Sequence, residues 1–170
     1  MIGQFTMTHN VWIGKHYTAS NPKILLLGES DYGETGQLDK YIPEWLDRKN
    51  PDHTFARISN TFGSNISREE FWHQIAFYNF VPGSLGPTRA HRPTSQLYLE
   101  AQPVLSEVLN ALKPDGVLIL GIEQSHYSKP VIERYGVACS VSPHPAARGL
   151  SNERLTTAWI EFTKAVKGRG

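Results

Sequence analysis

Lys23-Ile24-Leu25-Leu26-Leu27-Gly28-Glu29-Ser30-Asp31-Tyr32-Gly33 is the stretch on which the reading of this 170-residue chain turns. Ile24 to Leu27 is a short unbroken apolar run, the pattern of a strand buried on both faces in a parallel sheet. The glycine-bounded polar hexapeptide Gly28 to Gly33 is expected where that strand ends and the chain turns. Ligands of open α/β sheets bind outside the carboxyl ends of the strands. Two carboxylates, a hydroxyl and a phenol gathered at such an end mark the expected place of the chemistry.

Three further strands are expected along the chain. Ala76 to Val81 is aromatic-rich and stops at Pro82. Val117 to Leu120 runs into Gly121, and Val137 to Val141 leads into Ser142-Pro143-His144-Pro145-Ala146-Ala147-Arg148-Gly149-Leu150-Ser151. Helical patterns fall between them. Gly36 to Asn50 reads as a surface helix interrupted at Pro43, closed by a turn at Asn50-Pro51-Asp52-His53. Asn60 to Asn65 reads as a loop. Ser67 and Glu70 form a capping box ahead of Phe71, Trp72 and Ile75. Pro82 to Pro93 reads as a second loop. A helix capped at Thr94 or Ser95 runs to Leu112, kinked or divided at Pro103. A shorter one covers Lys129 to Tyr135 and ends at Gly136. The last, capped at Ser151 or Asn152, buries Leu155, Trp159, Phe162 and Val166. This alternation predicts a three-layer α/β/α sandwich around a central four-stranded parallel sheet, as a single domain over residues 1–170.

Seventeen Lys and Arg against sixteen Asp and Glu leave a formal charge of +1, so any nucleic-acid contact has to come from a local patch. The single cysteine, Cys139, excludes an internal disulfide framework and a four-cysteine metal or iron–sulfur site. No apolar run approaches the roughly 20 residues that span a bilayer. Met1 to Phe5 lacks the charged and apolar regions of a signal peptide. The expectation is a cytoplasmic monomer with no membrane partner, metal or cofactor.

In a parallel sheet all four strand ends share one edge. That edge would gather Glu29, Asp31 and Tyr32, then Asn79, then Gly121, then His144. A carboxamide at a strand end both donates and accepts, which suits the edge of a nucleobase or an amide. His144 sits between two prolines, so its backbone is restricted. It suits hydrogen bonding to an anion or general acid–base work. Each residue also has a plainer reading. Asn79 satisfies a strand-end backbone group, Asp31 serves the turn, His144 is an ordinary loop histidine, and Arg89 and Arg92 are solvated. A basic loop beside a cleft equally suits phosphate contacts.

Taken together, Gly28-Glu29-Ser30-Asp31-Tyr32-Gly33, Asn79, Gly121 and His144-Pro145 resemble the uracil-DNA glycosylase superfamily, in the right order over Lys23 to Val166. Arg92-Pro93-Thr94, before a helix ending in Leu112-Lys113-Pro114, resembles that family's iron–sulfur branch, whose cluster this chain cannot ligate. The resemblance implies DNA and uracil or a related base as partners, with the base flipped into the cleft. Gly28, Tyr32 and Asn79 would bind it, Asn79 reading its pairing edge and Tyr32 crowding the position of a thymine methyl. His144 would stabilise charge developing on the uracil oxygen, with Glu29 or Asp31 orienting water. Arg89, Arg92, Arg148 and Leu150 would contact DNA, Arg148 or Leu150 as the wedge. The chain departs from the pattern at Ser30, where the most active branch has Asp, and at Asp31, where it has Pro. Ala146 and Ala147 replace the usual Ser-Pro.

Two other functions fit the same residues. One keeps the fold but only binds a nucleobase, nucleotide or DNA end. The other is a serine hydrolase with Ser30 as nucleophile and His144 as base.

Overall fold

Strand β2, Ile24–Asp31, is the centre of the sheet. Its apolar residues alternate between two packed faces, as the two-residue period of a strand dictates. Ile24 and Leu26 join one core cluster, and Leu25 and Leu27 join the other. The computed structural model describes residues 10–31, 37–47, 52–86 and 91–169.

The sheet has five strands in the order β1-β3-β2-β4-β5. The four expected strands, β2, β3 (Ala76–Ser84), β4 (Gly116–Leu120) and β5 (Ala138–Ser142), run parallel. The fifth, β1 (Val11–Ile13), pairs antiparallel with β3 at the edge, so the expected four-stranded sheet is corrected to a mixed five-stranded one. Three residues are too few to show a period. Tertiary partners hold them, among them the Trp12 indole N–H, which donates to the Trp72 carbonyl at 2.7 Å.

Six α-helices lie among the described residues. On one face pack α1 (Leu38–Leu46), α2 (His53–Phe62), α3 (Arg68–Gln74) and α6 (Asn152–Lys167), through Ile42, Trp45, Phe55, Phe62, Trp72 and Phe162. On the other pack α4 (Ser95–Leu112) and α5 (Ile122–Arg134), through Tyr98, Leu105, Leu109 and Val131. Ser67, Thr94 and Ser151 accept from the backbone N–H groups of Glu70, Leu97 and Arg154, as helix caps do. No helix of the described residues is long and apolar enough to cross a membrane.

Several elements differ from their sequence reading. α1 and α4 run through Pro43 and Pro103. Both prolines sit on exposed helix faces, where water can solvate the carbonyl each leaves unpaired. α5 begins at Ile122, not Lys129, because its first turns bury Gln124, Ser125 and Ser128 instead of an apolar stripe. The Gln124 amide donates to the carbonyls of Leu27 and Leu120, both at 3.1 Å. α2 occupies residues where the sequence reading placed no helix and, at its end, a loop. Its signal is Asp52, whose carboxylate caps Phe55 N–H at 2.8 Å, followed by Phe55, Ile58 and Phe62 on one face. Residues 48–51 and 87–90, which hold part of the expected turn and loop, lie outside the described residues.

Strand β2 does not stop at Leu27. Gly28 pairs with Asn79 and Ser30 with Val81, and then the register breaks, so that Asp31 pairs with Ser84. Pro82 therefore sits in an irregularity of β3, where its missing N–H costs no ladder bond.

Candidate functional site

Connections from β2 and β4 lead to opposite sides of the sheet, toward β3 and β5. A crevice opens between the carboxyl ends of such strands. It is a cleft of about 270 Å³ lined by Gly28, Ser30, Asp31, Phe77, Asn79, Leu120, His144 and Pro145, with Tyr41 and the first turn of α2 as its outer wall. A second hollow of about 230 Å³ adjoins it, bounded by Glu29, His91, Arg92, Ala146 and Ala147 and sharing Ser30 and His144 with the first. A wider groove of about 710 Å³ meets the sheet at Ile24 and Ile75, beside the amino ends of β2 and β3. Size would favour that groove, but it gathers none of the strand carboxyl ends.

Asn79 is only 6 % exposed and faces the cleft from β3, on the same side as Phe77. Its approach to β2 depends on Gly28. A Cβ on Gly28 would lie 2.2 Å from Asn79 Oδ1 and 2.9 Å from the Phe77 ring. The glycine thus serves close approach within a strand, not a turn. Asn79 Nδ2 donates to Asp31 Oδ1 at 2.5 Å. With a carboxylate as acceptor, the nitrogen end of the carboxamide must face Asp31, which assigns the amide orientation.

Asp31 and Glu29 have the same parity along β2, yet they part. Glu29 follows Leu27 toward the α4 and α5 side. Past the register break, Asp31 turns to Asn79 and the cleft. A bulge re-aiming a side chain is a common device beside active sites.

Glu29 is 4 % exposed and ion-paired with Arg92, whose Nη1 lies 2.8 Å from Glu29 Oε1. Arg92 also reaches Glu123 Oε2 at 2.9 Å. Burial pushes the Glu29 carboxyl above its ordinary pKa; Arg92 opposes the shift and Glu123 adds to it. A raised folded-state pKa stabilises the fold below the unfolded value of 4.5, and that stabilisation is lost as pH rises through the folded value. Glu29→Gln, which cannot ionise, is therefore expected to gain stability relative to wild type as pH rises from 4 toward neutrality. Denaturant midpoints of both proteins across that range test this, and a difference independent of pH would refute it.

His144 follows β5 on the loop that precedes α6. The Ala146 backbone N–H donates to its Nδ1 at 3.0 Å. A ring nitrogen that accepts carries no proton, so neutral His144 holds its proton on Nε2 and is a donor there.

Of the residues singled out in the sequence, Gly28, Asp31, Asn79 and His144 meet in one cleft. Glu29 borders the adjoining hollow and Arg92 is bound to two carboxylates beside it. Arg148 is exposed on the loop after His144, next to Gly149, which adopts a φ of 70°. Leu150, expected as an alternative wedge, instead packs against the core, and its carbonyl accepts from Arg57. Tyr32 and Arg89 lie outside the described residues. Sequence reasoning missed Asp52 and Phe55 as cleft wall because it missed α2, and Tyr41 because only α2 brings its partner near; the Tyr41 hydroxyl donates to Asp52 at 2.6 Å. Among the described residues no three His, Cys, Asp or Glu side chains come together as a metal site. No protein-family model matches the chain, and no curated protein matches it at a significant level.

Proposed function

We propose that the chain is a uracil-DNA glycosylase-type N-glycosidase, acting as a cytoplasmic monomer on a uracil or related base flipped out of DNA. The observation that carries this reading is the meeting of Asn79 and a His144 that donates from Nε2 in one cleft between strand ends. A second support is the parallel run of β2, β3, β4 and β5, which carries Asp31 at the end of β2, Asn79 within β3 and His144 after β5.

Flipping costs a few kcal/mol, recovered in the pocket. Phe55 and Phe77, whose ring centroids are 5.2 Å apart, supply apolar walls for a planar base. Asn79 reads the base edge; one of its two amide hydrogens is engaged by Asp31, leaving the other for a base carbonyl. As the glycosidic bond breaks, its electron pair moves onto the base, and charge gathers on the carbonyl oxygen that His144 Nε2–H would meet. Water adds to the sugar carbon, and the proton it loses ends on the released base anion, giving the neutral free base. Asp31, on the cleft side of β2, takes the water-orienting role in preference to Glu29, which is held by Arg92 on the other face. Arg148 serves as the wedge.

A second reading, base binding without hydrolysis, is favoured by one feature: both acids are engaged, Asp31 by Asn79 and Glu29 by Arg92. The serine-hydrolase reading fits less well. A triad histidine donates from Nδ1 to a carboxylate, whereas Nδ1 of His144 accepts from a backbone N–H. Free uracil released from single- and double-stranded uracil-containing DNA is the deciding measurement. Release supports the glycosidase; binding without release by wild type assigns the second reading.

A further inference from the structure

Arg57 has a role that its distance from any motif conceals. It lies on α2 and spends its guanidinium on three neutral oxygens around the loop that follows His144. Nε donates to Asn152 Oδ1 at 2.9 Å, Nη1 to the Pro145 carbonyl at 2.7 Å, and Nη2 to the Leu150 carbonyl. These acceptors stand at the start and end of the loop and at the first residue of α6. The loop's own closure is lighter: Ala147 N–H to the His144 carbonyl at 2.9 Å, and Leu150 N–H to the Ala147 carbonyl at 3.4 Å.

The Pro145 carbonyl and the Ala146 N–H belong to one peptide unit. A trans peptide is planar, so its carbonyl and N–H point in opposite directions and turn together. Arg57 holds the carbonyl end of this plane, and the N–H end meets His144 Nδ1 at 3.0 Å. From this geometry we infer that Arg57 is a positioning residue. It acts through the Pro145–Ala146 peptide plane to keep His144 in its Nε2-protonated tautomer, aimed into the cleft. The planar fork suits the task, because a lysine ammonium cannot reproduce three divergent contacts.

The kinetic consequence rests on the glycosidase reading; the tautomer does not. The test therefore has two arms. In ¹⁵N spectra of the folded full chain at neutral pH, wild-type His144 is expected to show a proton-free Nδ1 and a protonated Nε2. The resonances are identified by their loss in His144→Gln. In Arg57→Met both are expected to move toward the averaged positions of exchanging tautomers. Arg57→Lys is expected to show the same change and is read in its place if the methionine variant does not fold. Asn152→Ala, which leaves the Pro145 contact intact, is expected to keep the wild-type pattern. In the second arm, kcat for uracil release is expected to fall by about 10²-fold in Arg57→Met, the scale of a misplaced catalytic group, with KM little changed. Wild-type His144 resonances in the folded Arg57 variants, or an equal change in Asn152→Ala, would overturn the inference. Shifted resonances alongside a wild type that releases no base would leave it standing and overturn the glycosidase reading instead.

Discussion

His144→Ala is expected to slow uracil release by about 10²–10³-fold, the usual loss when one donor to a developing oxyanion is removed. The tautomer is the reason for so large an effect. Because Ala146 N–H occupies Nδ1, the imidazole presents N–H at Nε2 without having to be protonated first. The donor is in place before charge develops, so little reorganisation accompanies the reaction. An interaction that strengthens only as the bond breaks acts on kcat and leaves substrate binding nearly unchanged. Single-turnover rates on uracil-containing DNA, with binding measured separately, distinguish the two. A variant within tenfold of wild type in rate, or one whose defect lies in binding alone, would sink the assignment of His144 as the oxyanion donor.

Gly28→Ala is the second large effect, and it deletes no functional group. The new methyl would lie 2.2 Å from Asn79 Oδ1 and 2.9 Å from Phe77, so the carboxamide has to rotate away. Rotation breaks the Asn79–Asp31 hydrogen bond and disorders the edge proposed to read the base. Overpacking a well-filled site costs about 1–3 kcal/mol. In a chain of this size each kcal/mol lowers Tm by about 2–4 °C. Uracil binding is expected to weaken by at least about tenfold, the equivalent of one lost hydrogen bond to a buried group. Calorimetric titration with uracil and a thermal melt check both. Unchanged binding and an unchanged melt together would show that Asn79 does not need its present position.

The two substitutions probe residues that were legible in the sequence for different reasons. Gly28 stands out because it opens a polar hexapeptide after an apolar run, and Asn79 because it is a carboxamide in an aromatic-rich one; that Gly28 lies within β2 is known only from the structure. His144 stands out through its flanking prolines. Their meeting follows from parallel topology, since parallel strands bring their carboxyl ends to one edge. Glu29 and Asp31 could not be told apart in the same way. Both are acidic, two residues apart on one strand, and alternation alone would send them to the same face. The register break that separates them lies between β2 and β3, with Pro82 on the partner strand, so no local pattern around Asp31 records it.

The sequence by itself determined the four parallel strands, the cap at Ser67, the caps of α4 and α6 to within one residue (Thr94 or Ser95, Ser151 or Asn152), and the edge where polar strand ends collect. Those features depend on hydrophobic period, capping chemistry and chain direction, which are local. Helix α2 was equally local in its signal and was overlooked; only the tertiary structure decided the edge strand β1, the pairing of Glu29 with Arg92, and the hold of Arg57 on the His144 loop. Each of these is made by groups distant in sequence whose individual residues are unremarkable. Their effect depends on which neighbour the fold brings within hydrogen-bonding reach.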